Sequence, residues 1–528
     1  MAYDYIVVGA GSAGCALAAR LSEDPEVSVL VIEAGPMDEE QAIHIPAAFP
    51  KLFKTPLDWD FETEPQESCA GRSLYSPRGR MLGGCSSMNA MIYQRGAPAN
   101  YESWNGGNVV GWGWKDVLPF FVKAENNERI DGPLHGKGGP LNVMEQRDPN
   151  PLSKALVQAA EEQGYPLNDD FNDGVQEGFG MYQVTQRGGM RGSAAVSYLH
   201  PAMERENLTV LTLALTRRVV IEGGRAVGVE VEVAGEAGPE TRVERAAREV
   251  ILSAGAYGSP HILMLSGVGP RAQLEAQGIE VLRDMPGVGA NLQDHLMAPV
   301  AYHCTQEITL ANAESEEEMA KIAEGMGMLT SNIGEAGGFL TVMEGAEAPD
   351  LQFHFAPSWF ILDGGGNPEG HGLTLAPGIV GTKSRGAVTL RSADPHDKPA
   401  VDTGAYSDPE GHDLAVVVEG VKIARRLLNS AAFDAYRGEE HLPGPDVQSD
   451  EDLGEFVRQY SQTIYHPVGT CKMGSDEMAV VDAALRVHGV SGLRVADASI
   501  MPSIVNANTN APSIMIGEKC AAMIRGAA

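Results

Sequence analysis

The amino-terminal stretch of the chain shows a clear sequence of apolar runs and helical periodicity. An apolar run at Tyr5–Val8 predicts a buried strand, and a helical pattern extends from about Ser12 to Leu21. A second apolar run, Val27–Ile32, predicts another buried strand and ends next to the acidic residue Glu33. Strand, helix and strand in this order predict a βαβ unit with parallel strands.

The same style of pattern continues, with interruptions, to about residue 300. It predicts helices near 117–124 and 151–163 and strands at 208–213, 219–222, 227–233 and 250–252. Beyond residue 300, Leu351, Phe353 and Phe355 alternate with polar residues, as in a half-buried antiparallel strand. The elements predicted after that are a strand at 388–390, a helix at 414–428, a strand at 493–496 and a helix at 512–524.

Three glycines, Gly9, Gly11 and Gly14, follow the first strand as a G-x-G-x-x-G turn. The first permits a tight turn, the second leaves room for a pyrophosphate, and the third lets the helix pack closely on the strand. The helix then directs free N–H groups at the phosphates. Glu33, which lies 19 residues after Gly14, can accept ribose hydroxyls and would repel a 2′-phosphate. The motif predicts a dinucleotide site but does not choose between NAD and FAD.

Length, charge and cysteine content narrow the class of protein. The 528 residues suggest two or more domains, and no apolar run is long enough to span a membrane. The first strand begins almost at once, so no signal peptide is expected. A net charge of −32 disfavours nucleic acid as a partner; a solvated acidic surface explains it, and steering of cationic substrates is a second explanation. The six cysteines show no metal-ligand spacing, so we expect no metal, reduced thiols and a cytoplasmic location.

Several motifs, taken together and in this order, resemble the FAD-dependent glucose–methanol–choline (GMC) oxidoreductases. They are the amino-terminal turn, Gly79–Tyr93, Gly255–Gly269, Pro286–His295, Tyr465–Gly474 and Asn508–Pro512. The resemblance covers the chain from end to end and selects FAD over NAD. It implies an α/β fold with a discontinuous, Rossmann-like FAD-binding domain and an α+β substrate domain built on an antiparallel sheet. We assign 1–150, 195–300 and 460–528 to the FAD-binding domain, and 151–194 and 301–459 to the substrate-binding domain.

The resemblance also implies contacts to the cofactor. Gly9, Gly11, Gly14 and Glu33 would hold the ADP half, and the backbone of Val219 would contact adenine. The remaining predicted cofactor contacts are Leu82, Gly84, Asn89, Met91, Ala254, Asp497 and Thr509. The stretch Ser87-Met88-Asn89 contains no histidine where some members attach FAD covalently, so noncovalent FAD is expected.

The tail of the chain carries the predicted chemistry. His466 matches the family's base, and the ordinary pKa of a histidine, about 6.5, suits proton abstraction near neutral pH. Asn510 matches the second catalytic position, where an amide can donate to the substrate oxygen. It also stands at the start of a predicted helix whose amino-terminal end would stabilise charge on reduced flavin. His354, Glu335 and Tyr465 are candidate substrate contacts, although a structural or capping role for Glu335 is the stronger alternative.

These residues favour oxidation of primary alcohols, aliphatic or aromatic, with hydride transfer to flavin N5 and a small-molecule alcohol as partner. The electron acceptor would be oxygen or a quinone-type compound. Choline dehydrogenase or oxidase is the near alternative, but it would need an acid and aromatic residues around a quaternary ammonium group. A flavin-dependent lyase or a fatty acid photodecarboxylase on the same fold, and a flavoprotein without turnover, are the other hypotheses.

Overall fold

The computed structural model describes residues 2–106, 109–235 and 238–526. One of its two large sheets, here called the nucleotide sheet, has seven strands. Its strands pair in parallel, except that Arg225–Gly235 pairs antiparallel with both of its neighbours, Gly238–Leu252 and Ala214–Glu222. In spatial order the strands are Leu208–Leu211, Val29–Ile32, Ala2–Val8, Gly238–Leu252, Arg225–Gly235 and Ala214–Glu222, with Leu493–Val495 also pairing to Gly238–Leu252.

The register of the parallel strands places the functional turns together. Val8 lies opposite both Ile32 and Leu252, and Leu252 lies opposite Val495. These strands therefore reach their carboxyl ends at one edge of the sheet, which is where open α/β sheets bind ligands.

The second sheet, here called the substrate sheet, has eight strands, all antiparallel. Its main path, in spatial order, is Arg437–Leu442, Val300–Cys304, Gly372–Ile379, Leu351–Ala356, Ala336–Leu340 and Gly178–Met181. Two short strands, Leu296–Met297 and Gln462–Thr463, extend it beside Gly372–Ile379. They belong to the substrate sheet although they fall within the ranges predicted for the FAD-binding domain.

Helices cover both sheets, and each sheet has a large apolar core. The helices of eight residues or more are Ser12–Leu21, Pro98–Gly106, Trp114–Ala124, Pro151–Glu162, Gly255–Leu265, His412–Leu428, Asp450–Tyr460 and Asn510–Ile524. The first and last of them pack tightly, because a Cβ at Gly517 would lie only 2.3 Å from the Ala13 carbonyl oxygen. Buried Glu518 accepts hydrogen bonds from Arg20 across the same contact.

Most predicted elements are present, with differences in extent. The strand predicted at 250–252 is the end of a much longer one, Gly238–Leu252, whose outer part is polar and exposed and carries no buried pattern. The last helix begins at Asn510, two residues before the predicted start at Pro512. Within the described ranges, none of the helices combines the length and hydrophobicity needed to cross a membrane.

Candidate active site

A long cleft separates the nucleotide sheet from the substrate sheet. Its cavity volume is about 350 Å³, which lies within the range of about 300–1,000 Å³ that is typical of small-molecule sites. One wall carries the glycine turn and Glu33, and the other carries His354 and His466.

The three glycines of the turn have distinct environments. Gly9 has φ +99° and a Cβ there would lie 2.4 Å from the Ser253 carbonyl oxygen, whereas a Cβ at Gly14 would lie 2.0 Å from that of Gly9. A Cβ at Gly11 would meet nothing within 4 Å, and Gly11 lines the cleft. Gly9 and Gly14 therefore permit the packing of the turn, and Gly11 leaves space in front of the helix start. This is the cradle that a pyrophosphate requires.

Glu33 is buried and its orientation is fixed by the backbone. Its Oε2 accepts the Ala10 N–H at 3.0 Å, and its Oε1 accepts the Gly35 N–H at 2.9 Å. Burial raises the pKa of this carboxyl, although these hydrogen bonds oppose the rise. Each carboxylate oxygen accepts one of these hydrogen bonds, and Glu33 lines the cleft, so its remaining lone pairs can accept ribose hydroxyls.

A second glycine-rich segment approaches the turn from the other side. Gly84 has φ +52°, and a Cβ there would lie 2.8 Å from the Gly11 Cα. Asn89 accepts the Met91 N–H at 3.0 Å and a hydrogen bond from the Arg191 guanidinium at 2.9 Å. The Asn89 amide oxygen is thereby engaged, which leaves its amide nitrogen available to a ligand. Gly84, Asn89 and Met91, which were predicted from the sequence as cofactor contacts, line the cleft.

The remaining wall near the nucleotide sheet contains Ala254, Thr509 and Asp497. Asp497 accepts the Gly255 N–H at 2.9 Å and the Ser259 hydroxyl at 2.5 Å, and it also accepts the Ser499 N–H. Burial raises the pKa of this carboxyl. Asp497 thus organises the loops that form the wall.

Three predicted contacts do not line the cleft. Leu82 is fully buried in the core of the nucleotide sheet. Val219, whose backbone was predicted to contact adenine, lies outside the cleft lining, and its N–H donates to the Ser266 hydroxyl at 2.8 Å. Glu335, predicted as a substrate contact, is buried, and its carboxylate accepts from the backbone N–H of Asn150 and two serine hydroxyls. Its partners hold it in a structural position, in agreement with the stated alternative.

His466 lies on the cleft wall between an amide and a second imidazole. The Asn508 Nδ2 atom is 3.2 Å from His466 Nε2, and the His295 Nδ1 atom is 3.0 Å from His466 Nδ1. The two rings meet edge to face, with centroids 5.2 Å apart. The backbone N–H of His466 donates to Asp294 at 2.8 Å, which fixes the loop that carries the ring.

The pairing of His466 with Asn510, expected from the sequence, is corrected. Asn510 is the first residue of the last helix, and its side-chain oxygen accepts the Ser12 hydroxyl at 2.7 Å. Asn508 precedes the helix, and it is this side chain that reaches the imidazole. Both asparagines line the cleft, and so does Ser513 in the first turn of the helix.

The electrostatic surroundings keep His466 neutral at neutral pH. Burial lowers its pKa well below the usual value, and His295, His354 and the Arg78 guanidinium lower it further. Burial alone lowers the pKa of His354 to about 4, and burial also brings that of His295 to about 3. A neutral imidazole with a free nitrogen is the form that can accept a proton.

The two other predicted substrate contacts also lie on the wall of the cleft. His354 projects from the substrate sheet, and its Nδ1 has no hydrogen-bond partner in the part of the chain that the structure describes. Tyr465 adopts φ +68° and donates its hydroxyl to Asp363. An apolar cluster of Met297, Ala376 and Ile464, with Phe360 packed against it, completes this part of the wall.

Four residues that contact side chains of the cleft wall were missed by the sequence reasoning: Asn508, His295, Gln352 and Arg191. Asn508 and His295 both stand inside motifs that were recognised, and only their side-chain directions were unknown. Gln352 alternates with apolar residues in a strand, and a polar residue on a buried strand was the available signal. Arg191 had no signal in the sequence.

Comparisons with known proteins agree with this geometry. Models of the N- and C-terminal domains described as GMC oxidoreductase match residues 3–297 and 382–517. The chain is 46% identical to an oxygen-dependent choline dehydrogenase of Brucella anthropi over 100% of this chain and 96% of the relative. A structure of Aspergillus oryzae RIB40 formate oxidase, studied for its FAD modification, has a TM-score of 0.92 at 27% identity, covering 99% and 98% of the two chains. A fungal aryl-alcohol oxidase has a TM-score of 0.85 at 26% identity, covering 99% and 98%.

Proposed function

Because the chain belongs to the GMC oxidoreductase family, we propose that it oxidises a neutral primary alcohol, aliphatic or aromatic, to the aldehyde. Membership of this family shows that the protein is an FAD-dependent oxidoreductase acting on alcohol-type substrates. It also confirms the predicted fold class and cofactor. The observation that carries the finer proposal is the contact of neutral His466 with Asn508 on a cleft wall that also bears an apolar cluster.

His466 would take the hydroxyl proton of the alcohol at Nε2. Its lowered pKa keeps the ring neutral, and the neighbouring Asn508 amide can donate to the same oxygen as negative charge develops on it. An alcohol oxygen placed between the two would replace their direct hydrogen bond. FAD, when bound, supplies the acceptor for the hydride that leaves the alcohol carbon.

The residues that would hold FAD are those of the cradle described above. Glu33 would accept from the ribose, and the N–H groups at the start of the Ser12–Leu21 helix would bind the pyrophosphate beside Gly11. Asn89 would offer its amide nitrogen, and the Asn510–Ile524 helix would direct its amino-terminal end into the cleft. We propose that FAD is held noncovalently, because the stretch Ser87-Met88-Asn89 contains no histidine where some members carry the linking one.

Choline is a second candidate because the relative from Brucella anthropi is named a choline dehydrogenase. A quaternary ammonium ion needs a nearby free carboxylate or an aromatic cage. The two carboxyl groups near His466 are already engaged: Asp294 accepts from two backbone N–H groups and Thr463, and Asp363 accepts from Tyr465 and Gln462. The apolar cluster on the cleft wall favours a neutral alcohol, whereas the aromatic side chains Phe53, Phe360 and Tyr465 of the same cleft keep choline as the second candidate.

Anaerobic mixing of the holoenzyme with benzyl alcohol, hexanol or choline tests the proposal. Loss of the oxidised-flavin absorbance with either neutral alcohol is expected, and with choline it should be slower. Bleaching by choline alone would replace the proposed substrate class, and no bleaching by any of the three would remove alcohol oxidation. The last outcome would direct the search toward a lyase or a decarboxylase on this fold.

The variant His466→Ala should keep FAD and lose bleaching, whereas normal bleaching in it would remove the assignment of the base. Repeating the reaction in air, and then with a soluble quinone, distinguishes the two proposed electron acceptors. We also propose a cytoplasmic location, which suits the six free thiols.

A further inference from the structure

A continuous series of buried polar side chains passes through the candidate base. It begins at Tyr182, whose hydroxyl donates to the Phe353 carbonyl oxygen at 2.7 Å. The phenolic oxygen can then only accept, and the Gln352 Nε2 lies 3.5 Å from it. The same Nε2 donates to the Asn508 Oδ1 at 3.0 Å. Gln352 is fully buried, so its amide is held by these two acceptors.

The direction of the first bonds determines the direction of the next ones. Since the Asn508 oxygen accepts from Gln352, its amide nitrogen is the atom that faces His466 Nε2 at 3.2 Å. An amide NH₂ group donates, so this nitrogen of the imidazole must carry a lone pair. In a neutral ring the proton then resides on the other nitrogen, Nδ1, from which it can be donated.

The partner of that Nδ1 proton is His295. Its Nδ1 lies 3.0 Å from His466 Nδ1, and it must accept, which places the His295 proton on Nε2. The Val380 backbone raises the pKa of His295, which opposes the larger lowering by burial, and Nε2 has no hydrogen-bond partner among the described residues. His295 is fully buried, so water does not compete for the contact.

We propose that Gln352 and His295 are positioning residues that together hold His466 in the tautomer with the proton on Nδ1 and the lone pair on Nε2. The inference rests on the proposed function for its effect on catalysis, but the tautomer itself is a property of the protein. Gln352 acts by orienting the Asn508 amide, and His295 acts by accepting the Nδ1 proton. Either loss would let His466 adopt the tautomer that cannot receive a proton at Nε2.

A matched pair of variants at His295 separates positioning from packing. In His295→Asn the side-chain oxygen can take the place of Nδ1 as the acceptor, whereas His295→Leu keeps the bulk and removes the acceptor. The leucine variant should lose about 10- to 100-fold in kcat/KM, as is typical when the outer partner of a functional histidine is removed. The asparagine variant should recover most of that loss. Equal losses in both, with FAD content unchanged, would refute the role of His295.

A single variant of Gln352 tests the arrangement from the other side. Gln352→Met preserves length and removes the donor, so the Asn508 amide can rotate and present its oxygen to His466. We expect a loss in kcat/KM with little change in KM, together with an upward shift of the acidic limb of its pH profile. The shift follows because an oxygen facing Nε2 favours a proton there. An unchanged profile, or a loss confined to KM, would refute this role.

Nitrogen NMR of the holoenzyme with ¹⁵N-labelled histidine provides a readout independent of turnover. The His466 signals are identified by their loss in His466→Gln. The proposal requires a protonated Nδ1 and an unprotonated Nε2 in the wild type, and mixed tautomers in His295→Leu. A proton on Nε2 in the wild type would overturn the inference even if alcohols bleach the flavin. If no alcohol bleaches it, the spectrum still decides the tautomer.

Discussion

A methyl group added at Gly11 and one added at Gly14 should impair different properties of the protein, although both glycines belong to the same turn. Gly11 has φ −81° and ψ −165°, a conformation open to any residue, and its added Cβ would meet nothing within 4 Å. An alanine at Gly14 would place its Cβ 2.0 Å from the Gly9 carbonyl oxygen. We therefore expect Gly11→Ala to impair FAD binding and Gly14→Ala to impair folding.

The magnitudes follow from these contacts. Gly11→Ala at a helix N-cap should cost the apoprotein less than about 1 kcal/mol. Its methyl group occupies the space left for the pyrophosphate, and losing one hydrogen bond to a charged group costs about 1.5–3 kcal/mol. That cost corresponds to a rise in the Kd for FAD of roughly 10- to 150-fold. Gly14→Ala overpacks the turn, which typically costs about 1–3 kcal/mol of folding free energy.

Thermal unfolding of the apoproteins and titration with FAD, followed by quenching of flavin fluorescence, measure both effects. The apoprotein Tm should be close to wild type for Gly11→Ala and clearly lower for Gly14→Ala. FAD should raise the Tm of Gly11→Ala less than that of the wild type, because stabilisation by a ligand falls as its Kd rises. Wild-type affinity in a well-folded Gly11→Ala variant would show that the pyrophosphate does not lie at this turn.

Three further predictions concern charge, the amide pair and the cofactor linkage. Burial opposes protonation of His135, but hydrogen bonds from its ring to Asp170 and Glu125 raise its pKa from 6.5 to about 9. Its stabilising contribution is thus complete below about pH 6.5 and lost as the pH rises toward 9. In His135→Gln the fall of Tm between these two pH values should therefore be smaller than in the wild type. A Tm that falls equally in both proteins over this range would contradict the reasoning. Asn508→Ala should lower kcat by about 10²–10³, as the loss of an oxyanion donor does, and Asn510→Ala should lower it much less. If stopped-flow flavin reduction is slowed more by Asn510→Ala than by Asn508→Ala, the pairing of His466 with Asn510 is restored. Acid precipitation should release all of the yellow colour into the supernatant, and colour in the pellet would indicate a covalent link.

The parts of the site that depend on local sequence could be predicted. The glycine turn, Glu33 and the two flanking strands interact within one βαβ unit, so spacing along the chain determines their geometry. His466 could be located because its motif is distinctive. Its partner could not be assigned from spacing, because the helix begins two residues earlier than expected and turns Asn510 toward Ser12.

Other features depend on contacts between distant segments. Glu335 looked available to a substrate, but Asn150 and Ser153, which are far away in the sequence, enclose its carboxylate. Val219 was placed by resemblance, and its N–H is taken by Ser266 from a neighbouring helix end. The length of the Gly238–Leu252 strand was missed because its outer half has polar residues on both faces, so burial leaves no periodic signal there.

The close contact between the helices Ser12–Leu21 and Asn510–Ile524 has a consequence for biosynthesis. The ribosome makes the first helix long before the other, yet the cleft takes wall residues from both. Growing chains fold from the amino-terminal side, so the early βαβ unit must wait for the Asn510–Ile524 helix to emerge before its ligand site is finished. Nascent polypeptides stalled before Asn510 should therefore fail to capture flavin, and FAD binding should follow the synthesis of that helix.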